Sequence, residues 1–185
     1  VATGADAGKP ARLELGRTYV KAGQLDEAQS EFYELLGAEE SPIAAQALFE
    51  AGKLHRQLAR ARALASDSAA AAQENERARK MFKRLVLLYP FKELSPLPEL
   101  AYIEMAEVTG ELGHQDQAQA DLRELVEKYP DGPYADYGKA VLAAVSLKRG
   151  DALFLLRKLQ QQENSLDPRL AQRVSAQLKA LESTP

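Results

Sequence analysis

Few side chains in this 185-residue chain are placed to do chemistry. The histidines, His55 and His114, stand far apart in sequence, and His114 falls in a predicted interhelical turn. A histidine titrates near neutral pH and can act as general base or metal ligand, yet neither has metal-ligand or nucleophile spacing around it. The acid pairs Asp26-Glu27 and Glu39-Glu40 fall at helix starts and ends, where solvated surface charge is the default. With no cysteine there is no disulfide, thiol catalysis or cysteine metal site. A phosphate-cradling glycine loop and a nucleophile elbow are both lacking. The expectation is binding without catalysis, and without a cofactor or metal.

Charge is the next signal. The chain carries 24 Lys and Arg against 27 Asp and Glu, a formal −3, which exerts no overall pull towards nucleic acid or anionic membrane. The charge is segregated, however. Residues 53–84 hold nine basic residues against three acids, and residues 99–145 hold three against ten. Nucleic-acid binding would need aromatics interleaved with the bases, and the basic stretch has only Phe82, which the repeat described next requires for its core. A basic face for an acidic protein, or for a neighbouring copy, is favoured over nucleic acid, with a plain solvated surface as the alternative.

The elements that must position these residues are helices. Apolar residues make up 45% of the chain and aromatics 6%, with no Trp, and Ala, Leu, Glu and Gln favour helix while leaving strands little to work with. Ala28, Ala78 and Ala118 are each followed four positions later by a large apolar residue, Phe32, Phe82 and Leu122. Three positions further on comes a leucine, Leu35, Leu85 and Leu125. Tyr89-Pro90 and Tyr129-Pro130 close two of these units, 40 residues apart. A small residue with apolar neighbours at helical spacing, repeated along a chain, reads as stacked helical hairpins. Asp26 is the expected cap of one second helix, Ser41-Pro42 opens the next unit, and Asp167-Pro168 caps a last helix bearing Leu170, Val174, Leu178 and Leu181.

In the second unit the signature arrives 14 residues late, after an Ala-rich and charged stretch without Gly or Pro. If Asp67 or Ser68 caps the second helix, each arm gains about seven residues, close to two turns, so both faces stay in register. The spacing predicts a projecting hairpin over 59–77, with a disordered insert as the alternative. In the fourth unit Leu155 stands where alanine is expected, and Arg149-Gly150-Asp151 reads as the turn.

Leu15-Gly16, Tyr19, Gly23, Ala28, Phe32 and Leu35, together with Tyr102, Met105, Ala106, Gly113, Ala118, Leu122, Leu125 and Pro130, resemble the tetratricopeptide repeat pattern. Departures are Arg12 and Glu40 in the first unit and Thr109 in place of Tyr in the third. The Tyr129-Pro-Asp-Gly-Pro133-Tyr-Ala link is similar to that of bacterial periplasmic members, of the Tol-Pal coordinator and outer-membrane assembly lipoprotein type. The resemblance implies an all-α, right-handed solenoid of about four hairpins with a C-terminal capping helix. Its expected boundaries are a disordered lead-in over 1–9 and one domain over 10–182, with repeats at 10–41, 42–92, 96–131 and 133–163 and the cap at 168–182.

The family's groove-facing positions fall on Leu13, Arg17, Val20 and Lys21; Phe49, Lys53 and Arg56; Ile103, Glu107 and Glu111; and Tyr137, Ala140 and Leu147. His55 occupies a position where the family places an aromatic, which implies a packed imidazole. Leu13, Arg17 and Phe49 do not match the Lys and Asn of members that clamp a C-terminal carboxylate. The expected function is a non-catalytic scaffold that holds a partner peptide or helix in its concave groove, in a bacterial envelope complex. The second reading is a self-associating assembly module from a larger protein. No 18-residue apolar stretch is present to span a bilayer, and the start Val-Ala-Thr-Gly-Ala-Asp, lacking an apolar h-region, would suit a trimmed mature protein. Periplasmic or envelope-associated placement is expected, with the cytoplasm not excluded.

Overall fold

Small residues let helices approach, and here they decide where the hairpins close. The computed structural model describes residues 4–36, 41–146, 148–162 and 165–183, and every regular element in them is helical. The helices are α1 (Gly4–Ala22), α2 (Leu25–Glu34), α3 (Pro42–Leu64), α4 (Ser68–Leu88), α5 (Leu97–Glu111), α6 (Gln115–Lys128), α7 (Pro133–Val145), α8 (Arg149–Gln161) and α9 (Pro168–Ser183). A short 3₁₀ turn, Lys92–Leu94, leads into α5. The all-α expectation is therefore met among the described residues. Where the sequence predicts one domain over 10–182, the contacts form two compact units, residues 1–114 and 115–185.

In the first unit α1 pairs with α2 and α3 with α4, while α3 also touches α1 and α5. Each hairpin closes on an aromatic ring laid over a glycine. A Cβ at Gly16 would lie 2.5 Å from Phe32 Cε1, and one at Gly52 would lie 2.5 Å from Phe82 Cε1. Ala28, Phe32, Ala78 and Phe82 are fully buried. The first core continues through Leu13, Leu35, Ala47, Ala51 and Leu54, so α1 and α2 are sealed against α3.

The extended hairpin is helical along both arms. Asp67 caps α4, its carboxylate accepting from the Ala70 amide at 3.0 Å. The turn follows the same backbone scheme as the short ones. Gln24 N donates to Tyr19 O, Asp67 N to Arg62 O, and His114 N to Thr109 O. The preceding residue is left-handed each time: Gly23 at φ +77°, Gly113 at φ +86°, and Ser66 at φ 62° in the long hairpin. Residues 60–69 are exposed, and Leu64 at the tip is 88% exposed.

In the second unit α7 packs on α6 and α8, and α9 on α8. Gly138 approaches less closely, its hypothetical Cβ 3.4 Å from Leu125 Cδ2 and Val126 Cγ2. Leu170, Val174 and Leu178 of α9 are buried, as the terminal stripe predicts.

Four local expectations are corrected. Helix α1 begins at Gly4 rather than Pro10, and Pro10 lies inside it. Residues 1–3 and the Glu39-Glu40 pair lie outside the described residues. Asp26 is not the cap of α2: Gln24 holds that position, and Asp26 sits in the first turn, where the helix dipole favours a carboxylate. Arg149–Asp151 is the first turn of α8 rather than the interhelical turn. The alanine position of the fourth unit is Ala152, buried with Leu156 and Leu159 at the same spacing as Ala28, Phe32 and Leu35. Leu155 therefore replaces nothing.

These contacts make the two glycine classes separable by experiment. Gly52→Ala forces a methyl into the Phe82 ring, and overpacking of this kind costs about 1–3 kcal/mol, more than the helix-propensity gain of about 1 kcal/mol. Gly138→Ala meets only ordinary contacts and is expected to be neutral or stabilising. Urea midpoints of both variants check this, and a Gly52→Ala midpoint at or above wild type would refute it.

Candidate partner-binding groove

Helix α3 lies beside α1 and α5, so its side chains face two neighbouring first helices. Phe49, Lys53, Arg56 and Arg60 are spaced four, three and four apart, one stripe of a helix. Arg17 of α1 reaches across to Glu50, Nε to Oε1 at 3.2 Å, while its Nη1 holds Glu14 at 2.5 Å. Lys53 Nζ holds the other oxygen of Glu50 at 2.9 Å and stands 5.7 Å from the Phe49 ring centroid. Val20, Glu50, Lys53, Leu54, Arg56, Gln57, Arg60 and Glu104 enclose a cavity of about 290 Å³.

Arg56 is the centre of this wall. It is 7% exposed, and its Nη1 donates to Glu104 and, at 2.7 Å, to Glu107, while Nη2 donates to Glu111 at 2.7 Å. Burial works to lower the guanidinium pKa, but the charges and hydrogen bonds of Glu104 and Glu107 outweigh it and hold the group above its usual value. The charge segregation of the sequence is thus partly internal: basic α3 and acidic α5 meet within one unit.

The predicted groove residues divide into two groups. Arg17, Val20, Lys53, Arg56, Glu107 and Glu111 lie around the α3 stripe, and Lys21 is exposed one position beyond Val20. Leu13, Phe49, Ile103 and Tyr137 are instead buried, as is Ala140, and offer no docking surface. Leu13 is covered because α3 closes over it, and Phe49 because its ring meets Phe82 edge-on at 5.8 Å. An inner helix flanked on both sides exposes a narrower stripe than an amphipathic reading assigns to it. Leu147 lies outside the described residues. Sequence reasoning missed Glu50, Gln57, Arg60 and Glu104, although Arg60 continues the Arg56 stripe and Glu104 stands one turn before Glu107.

His55 is packed, as its position implies, and it is not alone. Its Nδ1 lies 2.6 Å from Glu74 Oε2 and its Nε2 lies 2.9 Å from Tyr33 Oη, joining α2, α3 and α4. Thr109, the other polar substitute for an aromatic, is fully buried, donates to Met105 O at 2.7 Å and accepts from Arg79 Nε at 3.2 Å. Both sites fasten a first helix to α4.

Arg56 and Lys53 differ in what their loss leaves behind. Arg56→Ala removes a buried guanidinium from beside the buried Glu104 carboxylate, a loss expected to cost about 3–5 kcal/mol. Lys53→Ala removes a half-exposed partner and is expected to cost less than about 1 kcal/mol. Urea unfolding at neutral pH checks the order, and equal costs would contradict it.

Two stretches match family profiles described as tetratricopeptide repeat, residues 13–65 and residues 100–132. No curated protein matches the chain. Among solved structures, MamA of AMB-1 is similar at 15% identity and a TM-score of 0.34, covering 90% of this chain and 97% of that one. Pseudomonas aeruginosa PilF is similar at 16% identity and a TM-score of 0.33, covering 99% of this chain and 96% of that one. Through residues 13–65 and 100–132 the chain carries sequence of the tetratricopeptide repeat family, whose repeats generally mediate protein–protein interaction.

Proposed function

We propose that this protein is a non-catalytic interaction scaffold, and that the groove between α1, α3 and α5 receives a peptide or helix of a partner protein. The observation that carries the reading is the 290 Å³ cavity, with Val20 and Leu54 among its lining and with walls cross-braced by Arg17–Glu50 and Arg56–Glu104. Fixed walls reduce the ordering cost of binding, which is what a docking groove requires. A setting in a bacterial envelope complex is part of the proposal and rests on the Tyr129-Pro-Asp-Gly-Pro-Tyr link. No helix among the described residues is long and apolar enough to cross a membrane.

A bulky side chain at the rim tests the groove directly. Gln57 is exposed, and Gln57→Trp is expected to fill the cavity without disturbing the fold. Recovery of the partner from the native host should then fall about tenfold, equivalent to about 1.4 kcal/mol, with the circular dichroism spectrum unchanged. Undiminished recovery would remove the groove from consideration.

Self-association remains the second reading because of one patch on the second unit. Phe154 is 71% exposed and Val145 50% exposed, and Phe154 lines an open cavity of about 530 Å³ with Leu142, Ala143 and Leu155. Isolated exposed apolar residues are ordinary, but a contiguous set beside a cavity is characteristic of a contact face. Sedimentation velocity over a concentration series checks it: a weight-average mass that rises with concentration and is flattened by Phe154→Glu supports the reading. A concentration-independent monomer rules it out.

A further inference from the structure

The groove uses the outward stripe of α3, and the solvent face of α4 carries a different pattern. Lys80, Lys83, Arg84, Leu87 and Leu88 are spaced i, i+3, i+4, i+7 and i+8, a single helical face, and all five are exposed. From Arg77 to Phe91 the chain has no acidic residue. Lys80 and Lys83 make no hydrogen bond or ion pair with any described residue, and Arg84 donates from Nη2 to Leu36 O at 3.4 Å. Positive charge on this face is therefore uncompensated, unlike that of Arg56 or Lys53.

The apolar end of the face is a second, independent feature. A helix C-terminus favours cations, yet the last turn of α4 has no basic residue. Leu87 is instead 60% exposed there, and Phe91, just past the helix, is 48% exposed. Phe91 lines a cavity of about 340 Å³ with Pro42, Tyr89 and Leu94, and Glu93 also lines it. Contiguous exposed apolar side chains beside a recess are characteristic of a contact face. A flat lipid surface covers protruding leucines but leaves a recess empty, whereas a side chain of a protein segment fills it.

We propose that the outer face of α4 is a docking surface separate from the groove, and that it takes an acidic amphipathic segment of a partner protein. Apolar side chains of the segment lie on Leu87 and Leu88, and one enters the cavity beside Phe91. Its carboxylates lie one to two turns away, over Lys80, Lys83 and Arg84, since at about 1.5 Å per residue Lys80 stands about 10 Å from Leu87 along the axis. Glu93 fixes the orientation: a carboxylate at the cavity itself would meet like charge. A basic segment would meet like charge at Lys80 and Lys83, and such juxtapositions reject wrong partners.

Three fluorescein-labelled helical peptides of equal length test this, one with Glu on the two turns before a Leu-Phe pair, one with Lys in place of Glu, and one with Ala in place of Leu and Phe. Fluorescence anisotropy with the whole chain is expected to show the first binding about tenfold more tightly than either of the others, and weakening as salt is raised. Lys80→Glu/Lys83→Glu should remove the preference for Glu over Lys, and Leu87→Ser/Phe91→Ser should shrink the preference for Leu-Phe over Ala, with circular dichroism unchanged. Gln57→Trp should leave binding as it is. The proposal is overturned if the Lys peptide binds as tightly as the Glu peptide, if either double variant leaves its preference intact, or if no peptide binds saturably. Loss of binding in Gln57→Trp would also overturn it, by placing the peptide in the groove. Two further results would overturn it by naming another occupant. Pelleting with equimolar phosphatidylserine–phosphatidylcholine vesicles that Lys80→Glu/Lys83→Glu abolishes, without peptide binding, would identify a membrane. A concentration-dependent mass that Leu87→Ser/Phe91→Ser flattens would identify a second copy.

Discussion

The approach of an aromatic ring to a glycine is the constraint on which the first unit depends. Phe32 against Gly16 and Phe82 against Gly52 set how closely the second helix of a hairpin lies on the first. Close packing there excludes water and leaves no room for a larger side chain. Ala28 and Ala78, one turn earlier on the second helices, are fully buried for the same reason. Once the hairpins are closed at those points, α3 is held between α1 and α5, and its outward stripe becomes the wall of a cavity.

Polar residues at two of the positions where the repeat pattern places an aromatic complete this arrangement. Tyr19 keeps an aromatic there, but His55 and Thr109 do not, and each recruits a partner from α4: Glu74 for His55 and Arg79 for Thr109. Directional hydrogen bonds take over where an apolar contact is lacking. Tyr33 extends the His55 contact to α2, and burial raises its phenol pKa, with Arg77 opposing the shift in part. Helix α4 is thereby fastened to two first helices through groups that must be paired inside the protein.

Much of the fold was legible because its determinants are local. The alanine, large-apolar and leucine spacing fixes second helices, Ser41-Pro42 and Asp67 mark helix starts, and a 14-residue excess divides evenly between two arms. The fourth repeat was misread because four leucines crowd α8 and hide Ala152, whose burial depends on the helices around it. The groove was legible in part. Charged positions such as Arg17 and Arg56 announce themselves, whereas the burial of Leu13, Phe49 and Ile103 depends on neighbours distant in sequence. No periodicity in one helix reports how many helices flank it.

The long hairpin carries a consequence for how this protein can change length. A helix advances about 100° per residue, so seven residues return a side chain to within about 20° of its starting face. Arms lengthened by two or five residues, about 160° or 140° off that face, would turn Gly52 or Phe82 away from its partner and open the hairpin at its base. Growth of the α3–α4 pair is therefore stepwise, with permitted sizes separated by whole helical turns, and the reach of its tip is a discrete variable rather than a continuous one.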